Sequence, residues 1–421
     1  MPFWSLGQTT LKGIVIDKQS KRPLPFVNII YSKSKNLGTT SDLDGRFSIN
    51  YQEEIKFIEL SFIGYKKKNI NLSQINTQKK LIIELEQESY KIPDVIVYAK
   101  ENPAHRIIRN AIENRKKNNP KTLKSFSYKT YNKMFFTFDV FFYKNGDTIS
   151  SNNYQFNDTL NRVDSNILEI NKFKEKQYLF LMESVTKKKY KRPNKVHEEV
   201  MASRVSGLQN PTFTLIGTQL QSFTIYSDYI SILGKKYLSP LAKNSYTKYL
   251  FIIEDTLINK YSDTTYTLSY RPRKNKNFNG LEGLLLINTQ NFAVVNFSTK
   301  PTEQENLSVI IRQKYELIQE HIWFPTQLDA DITFKNIISS TNSSNNKDTE
   351  NNSNDAYIYG KSKTYIKEIK INPEFKNREF SHIAVDYRDE ANHKDSLFWS
   401  QQRIDAINKK ELNTYKTIDS L

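Results

Sequence analysis

The chain has 421 residues, with 62 Lys and Arg against 45 Asp and Glu for a net charge of +17, and it contains no cysteine. This length allows two or three domains, each able to bury a core, while the absence of thiols excludes a disulfide framework, a thiolate metal site and a lipidated N-terminal Cys. Lys far outnumbers Arg; base readers depend on the Arg fork, so the charge points to a solvated face or an anionic membrane surface and away from nucleic acid.

Residues 1–10 have no basic n-region and too short an apolar run for a complete signal peptide, and are read as the remnant of one. No uninterrupted apolar run reaches the roughly 18 residues of a membrane helix. Strand patterns then follow closely: Gly13-Ile14-Val15-Ile16-Asp17; after a Pro23-Leu24-Pro25 turn, Phe26 to Tyr31; Phe47-Ser48-Ile49; 55–61; and 81–85, with a polar connection at 69–80 and a last strand at 92–98. Gly38, Asp42, Asp44, Gly45 and Gly64 are the structural turn positions, Gly45 supplying the positive φ of a tight turn. Asp42 and Asp44 alternate as calcium ligands do, but no further oxygens or bidentate Glu follow, so turn chemistry accounts for them.

The order G-x-V-x-D, P-L-x-x-V-x-I, G-T-x-x-D-x-x-G-x-F-x-I and S-x-I-G-Y resembles the carboxypeptidase-regulatory-like domain, a transthyretin-like β-sandwich. The resemblance implies a sandwich over 11–90, and such domains often precede outer-membrane barrels; it implies no activity. The strand set from Leu11 to Leu85 closes without the helix at Asn102, so 11–90 is expected to fold alone.

Residues 91–122 carry a linker. Asn102-Pro103-Ala104 predicts a helix start with Asn as N-cap, and Ala104, Ile107, Ile108, Ala111 and Ile112 form one apolar face opposite a basic one, predicting a helix docked on the next domain. Within a domain spanning 123–387, residues 125–334 alternate Tyr and Phe through many short strands, predicting a large curved sheet. Segments 195–206 and 233–245 are expected to be helical or irregular inserts, and 339–355, built of Ser, Asn, Thr, Asp and Glu, a disordered loop. In 388–421, Asn408-Lys409-Lys410-Glu411 has capping-box form and opens a helix. The predicted class is mainly β: an N-terminal antiparallel β-sandwich, a linker helix, then a large curved antiparallel sheet or half-barrel with helical inserts.

The features Tyr270-Arg271-Pro272-Arg273, Phe278-x-Gly280, Gln313-Lys314-Tyr315 and Trp323-Phe324-Pro325 resemble the curved sheet of periplasmic lipoprotein-sorting and sigma-factor-regulating proteins, whose concave apolar face can hold an acyl chain. With the first domain and Glu101 to Ile108, the whole chain resembles a family of outer-membrane proteins with a regulatory-like N-terminal domain and a C-terminal β-barrel. That resemblance implies a non-enzymatic periplasmic part of an outer-membrane protein, a binding or assembly scaffold, with 388–421 leading towards a barrel absent from this chain. A lipid- or lipoprotein-binding half-barrel is the alternative.

Catalytic motifs are lacking. His105, His197, His321, His382 and His393 are the only histidines, and His197-Glu198-Glu199-Val200-Met201 lacks the second His of a zinc helix. There is no G-x-S-x-G elbow, P-loop or G-x-G-x-x-G, so no cofactor is expected. A second alternative is a peptidase or hydrolase built on His321, Asp329 and Asp331. The densest basic runs, Lys187, Lys188, Lys189, Lys191 and Arg192, and then Arg271 and Arg273, are candidate contacts for anionic lipid.

Overall fold

The computed structural model describes residues 9–32, 35–51, 55–73, 80–88, 101–144, 147–150, 165–207, 224–259, 262–304, 306–319, 322–339, 354–380, 385–388, 390–392 and 395–418. Seven strands, β1 (Thr9–Asp17), β2 (Asn28–Ser32), β3 (Leu37–Thr40), β4 (Arg46–Tyr51), β5 (Phe57–Ser61), β6 (Lys68–Asn71) and β7 (Leu81–Leu85), form the N-terminal sandwich. Its two layers are β4-β1-β7 and β3-β2-β5-β6, and Leu11, Val15, Ile29, Ile58 and Leu60 are fully or almost fully buried between them. The layers are not purely antiparallel: β1 runs parallel to β7. Part of the connection expected at 69–80 is strand, because β6 hydrogen-bonds to β5. The strand expected at 92–98 lies outside the described residues.

Helix α1 (Pro103–Glu113) begins as its sequence predicts, with Asn102 Oδ1 accepting from the Ala104 N–H at 2.9 Å. A short α2 (Arg115–Asn118) follows. Then come β8 (Ser125–Lys144), β9 (Asp147–Ser150), α3 (Ser165–Lys176), β10 (Phe180–Lys191), β11 (Lys195–Gly207), β12 (Tyr229–Ile232), β13 (Lys235–Leu238), β14 (Tyr249–Ile258), β15 (Thr264–Pro272), β16 (Leu281–Asn288), β17 (Ala293–Pro301), β18 (Leu307–Ile318), β19 (Ile322–Ser339), β20 (Asn354–Ile371), β21 (Val385–Tyr387), α4 (Ser396–Gln402) and α5 (Lys409–Ile418). The expectation for 195–206 is overturned: β11 pairs with β10 along its whole length, with one bulge at Val185/Thr186 that absorbs the break in alternation. Segment 233–245 is a short hairpin arm followed by irregular chain. The interior of the loop expected at 339–355 lies outside the described residues.

The large sheet runs β21-β11-β10-β8-β20-β19-β18-β17-β16-β15-β14 and continues through a parallel pairing of Ile258 with Leu37 into β3-β2-β5-β6. One layer of the sandwich is thus the edge of the large sheet. Strand alternation gives this sheet two unlike faces. Met134, Phe136, Phe251, Leu285, Ile311 and Ile332 form the apolar face. Ala104, Ile107, Ile108 and Ala111 of α1 and the 224–249 segment pack on it; Tyr249 donates to the Leu238 carbonyl at 2.6 Å, and Tyr226 accepts from the Val294 N–H at 2.9 Å. Among the described residues, the face that an acyl chain would use is occupied by the protein's own chain.

Candidate functional site

The opposite face is charged. Arg312 on β18 stands opposite Asp329 on β19, Asp329 opposite Lys363 on β20, Lys363 opposite Lys133 on β8, Lys133 opposite Glu183 on β10 and Glu183 opposite Arg204 on β11. Directly opposed residues share a face, so these six side chains form one row across six strands. Lys363 facing Lys133 would be repulsive alone. Each has its own carboxylate from a different part of the chain: Asp44 of the N-terminal turn ion-pairs with Lys363, and Glu411 of α5 with Lys133.

Local sequence explains how those carboxylates arrive. Asp42 Oδ1 accepts from the backbone N–H groups of Asp44 at 2.9 Å and Arg46 at 2.8 Å, and Gly45 holds φ +70; this is the expected turn chemistry. Asp44 does more: its second oxygen accepts from the Tyr365 hydroxyl at 3.1 Å. Gly64 also has positive φ. Gly38 differs from the expected turn role, for it lies within β3, where a Cβ would meet the Ile29 carbonyl oxygen at 2.8 Å. At the other end, the Glu411 N–H donates to Asn408 Oδ1 at 2.9 Å and the Asn408 N–H to Glu411 Oε2 at 3.2 Å, the predicted capping box.

Two more carboxylates on this face are saturated. Glu183, 1% exposed, takes two bonds from Arg403, at 2.8 and 2.6 Å, and one hydroxyl each from Tyr131 and Tyr415 at 2.5 and 2.6 Å. Burial opposes its ionisation, but Arg403 and the tyrosines outweigh it and hold the carboxyl below its usual range. Asp331 receives Arg312 at 2.5 Å and the Tyr359 hydroxyl at 2.7 Å; burial pushes up, yet Arg312 and Lys361 bring it down to about 2. Among the described residues, Asp329 has Gln327 alone as hydrogen-bond donor, at 3.1 Å. Burial therefore raises it to about 6 despite Lys363 and Lys361.

These shifts set an expected pH response. Asp331, Asp44 and Glu183 have folded pKa values below their unfolded ones, so their stabilisation is complete above pH ~4.5 and disappears as pH falls through the folded values. Asp329 has the opposite sign: its charge is a penalty above pH ~6, relieved as pH falls towards 4. Stability should rise slightly from pH 7 to 5 and drop below 4. Asp329→Asn should raise stability at pH 7.5 by on the order of 2 kcal/mol and flatten the pH 5–7 limb. Urea midpoints against pH check this; an unchanged limb would contradict it.

The sandwich is fixed to this face at further points. Asp255 Oδ2 accepts from Asn28 at 2.8 Å and Ser61 at 2.6 Å, Arg22 pairs with Asp139 at 2.5 Å, and Phe26 and Leu43 bury Leu286. Asp329 and Asp331 lie two residues apart on this face of β19, while His321 lies outside the described residues, as do His382 and His393. His105 lies tilted against Tyr246, its pKa lowered by burial and Arg273; among the described residues His197 Nδ1 has no hydrogen-bond partner. Among the described residues, no group of three His, Cys, Asp or Glu could hold a metal, and no helix is long and apolar enough to cross a membrane.

The two basic runs do not meet. Lys191 pairs at the sheet end marked by Ser125 and Ile371. Arg271 and Pro272 pair with Leu250 and Tyr249, at the opposite end. Lys188 points to the apolar face and pairs with Glu198 at 3.4 Å, Lys191 donates to the Phe375 carbonyl at 2.7 Å, Arg192 lies in the β10–β11 turn, and Arg273 donates to the Tyr249 carbonyl at 3.1 Å. Sequence reading missed Glu183, Arg403, Lys133 and Lys363; the period-two run Lys361-x-Lys363-x-Tyr365-x-Lys367 was the available sign of a charged face.

Fold and site define a class: a two-module β protein whose sandwich and C-terminal helices are clamped on the charged face of one sheet. The chain belongs to a family of unknown function, DUF5686, whose model matches residues 107–352, and a CarboxypepD_reg-like domain matches residues 11–97. No curated protein matches the chain. Among solved structures, a DUF1329 family protein from Desulfovibrio piger is 10% identical over 67% of this chain and 98% of its own, with a TM-score of 0.24. A putative outer membrane lipoprotein-sorting protein domain from Vibrio parahaemolyticus is 6% identical over 66% and 97%, with a TM-score of 0.25.

Proposed function

We propose that this protein is a non-enzymatic scaffold of the bacterial envelope, the periplasmic part of an outer-membrane β-barrel protein. The large sheet holds the regulatory-like domain and the C-terminal segment in one fixed arrangement. The observation that carries this reading is the adjacent pair Lys363 and Lys133, one bound to a carboxylate of the N-terminal turn and the other to a carboxylate of α5. Charges that a catalytic site would keep available are engaged in joining modules. The regulatory-like domain supports the envelope location, since such domains often precede barrels.

Fractionation of chromosomally tagged protein tests the location, and recovery from cytoplasm or inner membrane would reject it. Lys363→Met should loosen the N-terminal sandwich from the sheet, because Asp44 loses its ion-pair partner; limited proteolysis reads this as cleavage within residues 9–88, and an unchanged digestion pattern would count against the clamp. Stoichiometric zinc with turnover of peptides or esters would replace the scaffold by an enzyme. An acyl adduct in native mass spectrometry would favour a lipid carrier.

A further inference from the structure

At the Ser125 end of the charged face, five lysines converge on three strands. Lys187 on β10 stands opposite Lys129 on β8, and Lys129 opposite Lys367 on β20. In the next row Ser127 stands between Lys189 and Lys370. Lys370 reaches this face only because a bulge between Lys367 and Lys370 inserts one extra residue, with Glu368 in the left-handed region at φ +51. Without the bulge, Ile369 would take its place. A non-glycine residue at positive φ is unfavourable, and bulges characteristically re-aim a side chain.

Compensation here is incomplete. Glu368, itself 68% exposed, approaches Lys129 at 3.6 Å, and Glu379 pairs with Lys189 at 2.9 Å. Glu199 is opposite Lys187 but binds Arg388 at 2.5 Å. Among the described residues, Lys187, Lys367 and Lys370 have no hydrogen-bonded or ion-paired partner. Lys187, Lys129, Ser127, Lys189 and Lys370 line a cleft of about 330 Å³ together with Met201, Pro373 and Phe375, and Lys367 lines an adjoining cleft that shares Lys129 and Glu368 with it. Like charges directly opposed on adjacent strands are unfavourable until an anion joins them. A compact, multiply charged anion suits several ammonium donors converging on one point.

We propose that this cleft binds the phosphate of an anionic ligand, either a phosphorylated lipid headgroup or a free phosphate compound. Lys187 and Lys370 supply the attraction from the lining and Lys367 from the adjoining cleft, Lys129 and Lys189 exchange Glu368 and Glu379 for the ligand, and Ser127 offers a hydroxyl between the rows. This site does not depend on the proposed envelope role. It groups residues distant in sequence and leaves Lys188, Lys191, Arg271 and Arg273 outside.

The test uses the intact chain with two probes: inorganic pyrophosphate by calorimetry, and phosphatidylglycerol against phosphatidylcholine vesicles by sedimentation. Lys187→Gln with Lys370→Gln should weaken binding about 30-fold, at about fivefold per lysine. Lys274→Gln with Lys276→Gln, at the other basic run, should leave it unchanged. Binding of pyrophosphate alone identifies a free anion, and binding of anionic vesicles alone a headgroup; either supports the site if the first pair weakens it selectively. Lack of binding to both probes, or equal loss in the two double variants, overturns it by assigning any attraction to net charge alone. Far-ultraviolet circular dichroism of both variants should match the parent, because the substituted side chains are at the surface.

Discussion

Replacing Glu183 with Ala is expected to lower the unfolding free energy by roughly 3–5 kcal/mol, the cost of leaving a buried partner charge uncompensated. Arg403 has a side chain only 10% exposed and pairs with Glu183 alone among the carboxylates described, so it would keep its charge without its fork partner. The hydroxyls of Tyr131 and Tyr415 lose their acceptor as well. These groups tie α4 and α5 to the sheet beside Trp399, which is 1% exposed against Val185 and Ala202. Residues beyond 395 should therefore become protease-sensitive under native conditions. Paired measurements of denaturant stability and limited proteolysis would show it, and a loss below 1 kcal/mol with the C-terminal segment still protected would contradict it. Glu183→Gln should lie between, since the amide keeps one acceptor but not the ion pair.

Gly45→Val is the second change of large effect, roughly 2–4 kcal/mol. The position has φ +70, and a Cβ would lie 2.5 Å from the Val15 carbonyl oxygen and 3.1 Å from the Leu24 nitrogen, both backbone atoms unable to turn aside. A β-branched residue in the left-handed region is a steric outlier in any surroundings. The same turn delivers Asp44 to Lys363 and Tyr365, and the neighbouring layer continues into β14. The damage should therefore extend beyond the sandwich and lower the transition of the large sheet in the intact chain. Calorimetry of the full chain decides this: a sheet transition that keeps its midpoint while only a sandwich transition moves would mean that the modules unfold independently.

Much of the fold was legible because it depends on local chemistry. The Asn102 cap, the apolar stripe from Ala104 to Ala111, the Asp42-to-Gly45 turn and the Asn408–Glu411 capping box each lie within one or two helical turns or a single hairpin, where spacing alone determines which groups meet. The alternating Tyr and Phe of 125–334 likewise required strands, although the irregular spacing of 195–206 concealed β11 behind a bulge that only its pairing with β10 resolves. Strand order belongs to another category. That Lys133 faces both Lys363 and Glu183, while Asp44 and Glu411 arrive over 300 residues apart in sequence to neutralise adjacent lysines, depends on register between strands remote in the chain. The sequence by itself determined what each strand presents to its two faces. Tertiary structure alone decided which faces were covered, because covering them required the two ends of the chain to meet on one sheet and compensate charges that local sequence leaves opposed.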